Sequence, residues 1–334
     1  MQEKENNKDP FLWRKQGFRF EIGDDENEGV SAMVPMDDNI ICVMRRSIHS
    51  ISLADSIDPN RVNPSIPNSQ QKLIAYGSDD SMVGRTFLQA DILFKEHSLP
   101  SEIDRLSALN LAFSFLKEVI SLQEATASYV EDESAKNTSF TGHIGSDQSL
   151  KIPSIHNLEQ ITKLFLVNVD HATSYLMRLT QLFYPDIANT KWSKNLFEKL
   201  KKERGEQDQF TKFSDAMSGW VWCMRNLRNA VEHQMPENIV EIQNYKLNAE
   251  GKVSLPTIFY NNNETPLNKI ALSRFMVDSV EELQFYFENL MAYLCNTHAL
   301  PFVNTPRLVV ETSVVDRPPH QKHVRFGYYI ALTD

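Results

Sequence analysis

An arginine, an amide and a histidine lie close together in the segment WVWCMRNLRNAVEHQM, where Arg228 and Asn229 are followed by His233. On a helix that turns by about 100° per residue, Asn229 and His233 are neighbours one turn apart, and Arg228 lies on the same solvent-side arc. RNA can be cleaved without a metal ion when its own 2'-hydroxyl attacks the adjacent phosphorus. That reaction needs a cation beside the phosphorane oxygens and a group that exchanges protons near pH 7. Arginine and histidine are the side chains that supply these two properties.

This segment resembles the signature of HEPN (higher eukaryotes and prokaryotes nucleotide-binding) domains. In that family an arginine, a polar residue and a histidine a few positions on end the third helix of a bundle. The resemblance covers residues from about 101 to 300 and implies a homodimer with a composite, metal-independent endoribonuclease site across the two-fold axis. By this resemblance Arg228 binds the scissile phosphate, Asn229 positions the pair, and His233 acts in proton transfer or phosphate stabilisation. These three residues form the predicted catalytic set.

A second Arg-Asn pair, Arg225 and Asn226, precedes the motif, and we predict that both residues bind substrate. The phosphate ligand stays open between Arg225 and Arg228, although the spacing to His233 favours Arg228. Two structural alternatives compete with the catalytic hypothesis. Arg228 and Glu232 have the spacing of a helical ion pair, which is worth about 0.3 kcal/mol and would neutralise the phosphate ligand. His233 could cap a free carbonyl at the end of a helix.

The charge of the chain restricts any contact with nucleic acid to a local surface. The 334 residues contain 34 Lys and Arg against 44 Asp and Glu, a net charge of -10, so the molecule as a whole repels polyanions. Basic residues outnumber acidic ones between Lys191 and Arg228. That segment could be an RNA-facing patch, or a solvated helix and linker.

The composition also predicts a cytoplasmic protein without a membrane segment. The three cysteines are widely spaced in apolar stretches, which excludes a disulfide framework, and the N-terminus lacks the apolar region of a signal peptide. No apolar run approaches the ~18 residues that cross a bilayer. His320 and His323 have no further ligand at metal-binding spacing. We therefore expect neither a metal ion nor another cofactor.

Four segments repeat apolar residues at spacings of three and four, which is typical of amphipathic helices. They are predicted at 101–131, 155–184, 209–234 and 276–296. The first has apolar residues on two faces and should be central. The predicted fold class is mainly α (α+β): a helical bundle of four long helices with small β-hairpin additions and an N-terminal extension.

The remaining segments complete the predicted organisation. Three prolines between residues 58 and 68 predict a loop, a helix is predicted to begin near Ser69, and Gly84 is predicted at a close contact inside it. A polar surface loop is predicted at 132–153. The predicted domains are a flexible N-terminal arm (1–29), a mixed region packed on the bundle (30–100), a HEPN-like bundle (101–300) with a β-hairpin at 238–261, and a C-terminal β-strand pair (301–334).

Two functions from different classes follow from these observations. The leading hypothesis is a metal-independent endoribonuclease of the toxin or phage-defence type, which leaves a 2',3'-cyclic phosphate and has RNA and an antitoxin or regulatory protein as partners. The alternative is a non-catalytic helical interaction module that binds a protein partner or a nucleotide. The negative net charge favours the alternative.

Overall fold

A four-stranded antiparallel sheet forms the N-terminal part of the protein. The computed structural model describes residues 9–15, 22, 28–233, 238–300, 308–312 and 317–330. The strands lie side by side in chain order, namely β1 (Val30–Met36), β2 (Asn39–Met44), β3 (Ile48–Ser52) and β4 (Ser69–Ile74). The two central strands, NIICVM and IHSIS, are rich in β-branched residues, which fit a pleated surface.

Strand β4 shows that one prediction was wrong, because no helix begins near Ser69. Ser69 pairs with Ser52 and Ile74 pairs with Ile48. The sequence SQQKLI places mostly exposed polar residues on the last strand of the sheet, where they protect an edge from further pairing. The loop predicted from three prolines is confirmed, since residues 58–68 are irregular between the short helix α1 (Ala54–Ile57) and β4.

Helices make up most of the chain between residues 81 and 298. The first helical segment consists of α2 (Ser81–Val83), a π-helical turn (Gly84–Leu88) and α3 (Gln89–Leu93). The longer helices are α4 (Arg105–Ser139), α5 (Leu158–Phe183), α6 (Trp192–Arg204), α7 (Gln209–Glu232) and α8 (Leu272–His298). Asp104 and Asp208 cap α4 and α7 by accepting hydrogen bonds from backbone N–H groups of the first turn. Helix α4 runs into the predicted surface loop, which therefore begins only after Ser139.

In the part of the chain that the structure describes, five short strands lie between α7 and α8, and two more follow α8. They are β5 (Ile239–Gln243), β6 (Lys246–Leu247), β7 (Val253–Ser254), β8 (Thr257–Asn261), β9 (Leu267–Ala271), β10 (Leu308–Thr312) and β11 (Phe326–Ile330). Strands β5, β8 and β9 form one antiparallel sheet, β6 pairs with β7, and β10 pairs with β11. Gly251 closes the β6–β7 turn with a φ of 75°, a conformation that glycine adopts without steric cost.

One hydrophobic core joins the N-terminal sheet to the helices. It contains Val34 and Ile48 of the sheet together with buried residues of α4, α5, α7 and α8. Helix α4 is buried on both predicted faces, and its Phe115 stacks on Phe287 of α8 with 3.8 Å between ring centroids. Helix α4 is therefore buried on two sides, as predicted, but it packs on α5 and α8, whereas α7 packs on α5 and α6.

The predicted fold class requires correction: the protein is an α+β mixture and not a four-helix bundle. Strands β1 to β4 replace the predicted N-terminal extension. The central strand β2 reads as a continuous apolar run because consecutive residues from Ile41 to Met44 are all buried, so the two-residue period of a strand is hidden.

The predicted domain boundaries stay predictions. Most of the predicted arm, residue 234 at the end of the predicted third helix, and parts of the predicted C-terminal pair (301–307, 313–316 and 331–334) lie outside the described residues.

Gly84 provides a test of the packing between the π-helical turn and the C-terminal segment. A Cβ atom at Gly84 would overlap the Cβ of His323, whereas a Cβ at Gly219 in α7 meets no atom within 4 Å. We expect Gly84→Ala to lower the free energy of unfolding by about 1–3 kcal/mol through overpacking. Gly219→Ala, the matched control, should raise it by about 0.5–1 kcal/mol because alanine favours a helix. Urea unfolding measures both values, and an unchanged stability in Gly84→Ala would contradict the contact.

Candidate functional site

The guanidinium group of Arg228, near the end of α7, is held by two carboxylates of the same chain. Its Nε and Nη2 donate to Oδ2 of Asp170 on α5, at 3.2 and 2.8 Å. Its Nη1 donates to Oε2 of Glu232 at 3.1 Å and to Oδ1 of Asn229 at 2.9 Å. The Arg228 side chain is 31% exposed and that of Asp170 is 20% exposed, so the contact between α5 and α7 is partly sheltered from water. This arrangement includes the predicted pair with Glu232, but the stronger contact is with Asp170.

His233 lies at the boundary of α7 and is exposed. Its backbone N–H donates to the carbonyl oxygen of Asn229 at 2.7 Å and closes the last turn of the helix. Within the described part of the chain, the imidazole has no hydrogen-bond or ion-pair partner. The structure thus brings Arg228 and Asn229 into direct contact and leaves His233 on the adjacent solvent-facing turn.

The two residues of the second Arg-Asn pair, Arg225 and Asn226, lie in different environments. Nδ2 of Asn226 donates to Oγ1 of Thr265 at 3.1 Å, and the hydroxyl of Tyr260 approaches the Asn226 carbonyl at 3.5 Å. Asn226 therefore joins α7 to the small sheet, which explains its presence without a substrate. Arg225 is exposed and forms no ion pair with any residue that the structure describes. Among the predicted site residues, Arg225 is the arginine that is available for an external anion.

Ion pairs neutralise much of the basic segment before α7. Lys199 binds Asp186 and Glu203, and Lys201 binds Glu206. Arg204 lies 3.8 Å from Asp208. Hydrogen bonds to Asp186 and Glu203 raise the pKa of Lys199, so this ammonium group stays charged but is already paired. The segment resembles a solvated helix and linker more than an exposed basic patch.

The charges around Arg228 limit what the predicted catalytic set can do. One guanidinium lies between two carboxylates, so a phosphate at this position would meet Asp170 and Glu232 as well as Arg228. Two unit charges 4 Å apart interact by about 4 kcal/mol near a protein surface. The two carboxylates therefore offset the attraction of the one arginine for a phosphate. The observed ion pair of Arg228 with Asp170 holds α7 against α5.

A second polar cluster joins α8, the π-helical turn and the C-terminal segment, and the sequence did not indicate it. Glu288 of α8 is fully buried, and its Oε2 accepts hydrogen bonds from Arg85 Nε at 2.8 Å and Arg325 Nη1 at 3.1 Å. Nη1 of Arg85 also donates to Oε1 of Gln284 at 2.9 Å. Burial raises the pKa of Glu288, and the two arginines oppose that shift. Arg85 and Glu288 are 203 positions apart, so no local spacing could connect them.

Arg85 and Gln284 also border a surface groove of about 830 Å³ between α2, α4 and α8. Its apolar wall includes Met82, Val277 and Phe285, and Thr126 and Gln123 of α4 contribute polar groups. More than half of the lining side chains are polar or charged, and the others form an apolar wall, so this concave surface is amphipathic and a candidate binding surface. We name it the α4–α8 groove. It was not predicted because its residues come from three distant parts of the sequence.

Comparison of the chain with family models, characterised proteins and solved structures found no match. The resemblance to HEPN domains stays a prediction that rests on the end of one helix.

Within the described ranges, no group of three or more His, Cys, Asp or Glu side chains is placed to hold a metal ion. None of the helices that the structure describes is long and apolar enough to cross a membrane.

A double-mutant cycle tests whether Arg228 fastens α7 to α5. We expect Arg228→Ala and Asp170→Ala to show a coupling of about 1 kcal/mol in the free energy of unfolding, because the pair is partly sheltered and joins two helices. Arg225→Ala, an arginine one turn away without a described partner, should change stability by less than about 0.5 kcal/mol. Urea unfolding gives these energies. Additive effects of the two alanine substitutions would show that the ion pair has no structural role.

Proposed function

We propose that this protein is a non-catalytic interaction module that binds a protein partner. The observation that carries the proposal is the double ion pair of Arg228 with Asp170 and Glu232. This contact uses the arginine that a ribonuclease of the HEPN type would need for the scissile phosphate. The net charge of -10 supports a partner other than a polyanion. The α4–α8 groove, which borders the exposed ring of Phe285, supplies a surface for such a partner.

An endoribonuclease is the second candidate, and one observation favours it. Nη1 of Arg228 lies 2.9 Å from Oδ1 of Asn229, and the exposed His233 follows on the next turn, so the three predicted catalytic residues share one helix end. RNA binding would have to displace Asp170 and Glu232 from the guanidinium. This second candidate includes the homodimer, the antitoxin or regulatory partner and the toxin or defence role. Either function would operate in the cytoplasm.

RNA cleavage in the presence of a chelator separates the two candidates. The purified full-length chain is incubated with total RNA and excess EDTA, and new 2',3'-cyclic phosphate ends are measured. The interaction module is expected to leave the RNA intact at every protein concentration. Three variants are tested in parallel with the same RNA, namely Arg228→Ala, His233→Ala and, as a matched control, Lys212→Ala, which removes an exposed cation from the first turn of the same helix.

The cleavage activities of the variants distinguish cleavage by this site from cleavage by a contaminating ribonuclease. Cleavage that is lost in Arg228→Ala and in His233→Ala, but kept in Lys212→Ala, would contradict the interaction module and support the endoribonuclease. Thermal unfolding of each variant confirms that it is folded. Arg228→Lys is added because it keeps the positive charge while losing the planar two-point contact with a phosphate.

A further inference from the structure

The α4–α8 groove includes a buried polar atom, Oγ1 of Thr126, that has no hydrogen-bond partner among the residues that the structure describes. Thr126 lines the groove and is only 5% exposed, yet its Oγ1 forms no hydrogen bond within the described structure. A buried hydroxyl without a hydrogen bond is unfavourable, and most such groups in folded proteins are satisfied. Oγ1 of Thr126 is itself closed to solvent, so recognition at this groove depends on its exposed side chains.

The rim of the groove carries negative charge that the protein does not neutralise. Arg274 binds Asp278 at 2.7 Å, and Arg85 binds the buried Glu288, so both cations of the groove are already paired. Glu281 and Glu282 are exposed on α8 and have no ion-pair partner in the described ranges. The charge that remains for an incoming molecule is therefore negative. A cationic group is attracted to this rim, and a phosphate or nucleotide is repelled.

An apolar surface continues from the groove across α8 towards α7. Phe285 borders the groove and is 41% exposed. Its ring centroid lies 5.6 Å from that of Tyr286 and 6.3 Å from that of Phe213 on α7, and Tyr286 lies 5.3 Å from Trp220. Partly exposed aromatic rings on rigid helices are typical of surfaces that contact other proteins. The rings of Phe213, Trp220 and Phe285 are partly exposed, whereas Tyr286 is buried, so the apolar surface continues from Phe285 towards α7.

We infer that the α4–α8 groove binds a basic amphipathic segment of a partner protein. The inference rests on the proposed function and identifies the surface and the chemistry of the partner. Apolar residues of the segment pack on Met82, Val277 and Phe285, while its Lys or Arg side chains face Glu281 and Glu282. This is the arrangement in which an amphipathic helix lies in an apolar groove and its charges select the orientation.

Binding of a defined peptide tests this inference. The probe is a fluorescein-labelled, 18-residue amphipathic helix of leucine and lysine, and its affinity for the full-length chain is measured by fluorescence anisotropy at 150 mM salt. A peptide of the same composition, with its residues reordered to remove the apolar face, controls for attraction by charge alone. We expect the amphipathic peptide to bind at least tenfold more tightly than the reordered peptide.

Two pairs of variants locate the binding site. Phe285→Ala should weaken the amphipathic peptide about tenfold, whereas Leu164→Ala, which removes an exposed apolar side chain of α5, should leave its affinity unchanged. Glu281→Lys should weaken binding about fivefold to tenfold, and Glu198→Lys, the same reversal on α6, should change it less than twofold. Failure of the peptide to bind, or equal loss in a variant and its control, would overturn the inference. RNA cleavage that depends on Arg228 and His233 would instead overturn the proposed function, and the two failures are therefore distinguishable.

Discussion

The ion pair between Arg228 and Asp170 limits the binding of an anion at the end of α7. It joins two helices whose contributing residues are 58 positions apart, and Glu232 adds a second carboxylate to the same guanidinium. An anion that approaches meets one positive and two negative charges within a few ångströms. The two carboxylates already compensate the charge of the guanidinium, so the local charge disfavours a further anion. In this fold, Arg228 of the predicted catalytic set forms an ion pair that joins α7 to α5.

Other arginines of this chain follow the same principle. Arg85 and Arg325 meet on the buried Glu288, and Arg14 binds Asp55 and Asp58 in the part of the N-terminal segment that the structure describes. Each of these ion pairs uses carboxylates as well as cations, so the excess of carboxylates comes from the composition, with 44 Asp and Glu against 34 Lys and Arg. Under the proposed function, recognition would depend on unpaired carboxylates next to apolar surface, as on the rim of the α4–α8 groove.

The sequence predicts the features that depend on neighbouring residues. Helices α5, α7 and α8 were located within a few residues because a 3.6-residue apolar period is a strong signal, and the contact of Arg228 with Glu232 followed from their spacing on one helix. The strand β4 was missed because SQQKLI has too few apolar residues to show a period. Asp170 and Glu288 were missed as arginine ligands because their partners are distant in sequence and only the folded chain brings them together.

Nitrogen-15 NMR of the arginine side chains tests the central claim most directly. The Nε–H resonance of Arg228, assigned by its loss in Arg228→Lys, reports on the hydrogen bond to Asp170, and inorganic phosphate is titrated into the full-length protein to 20 mM. The account predicts that this resonance does not move and that its N–H exchanges slowly with water, while the exposed Arg225 responds. A saturable shift of the Arg228 resonance would show that phosphate replaces the carboxylates, and it would contradict the account.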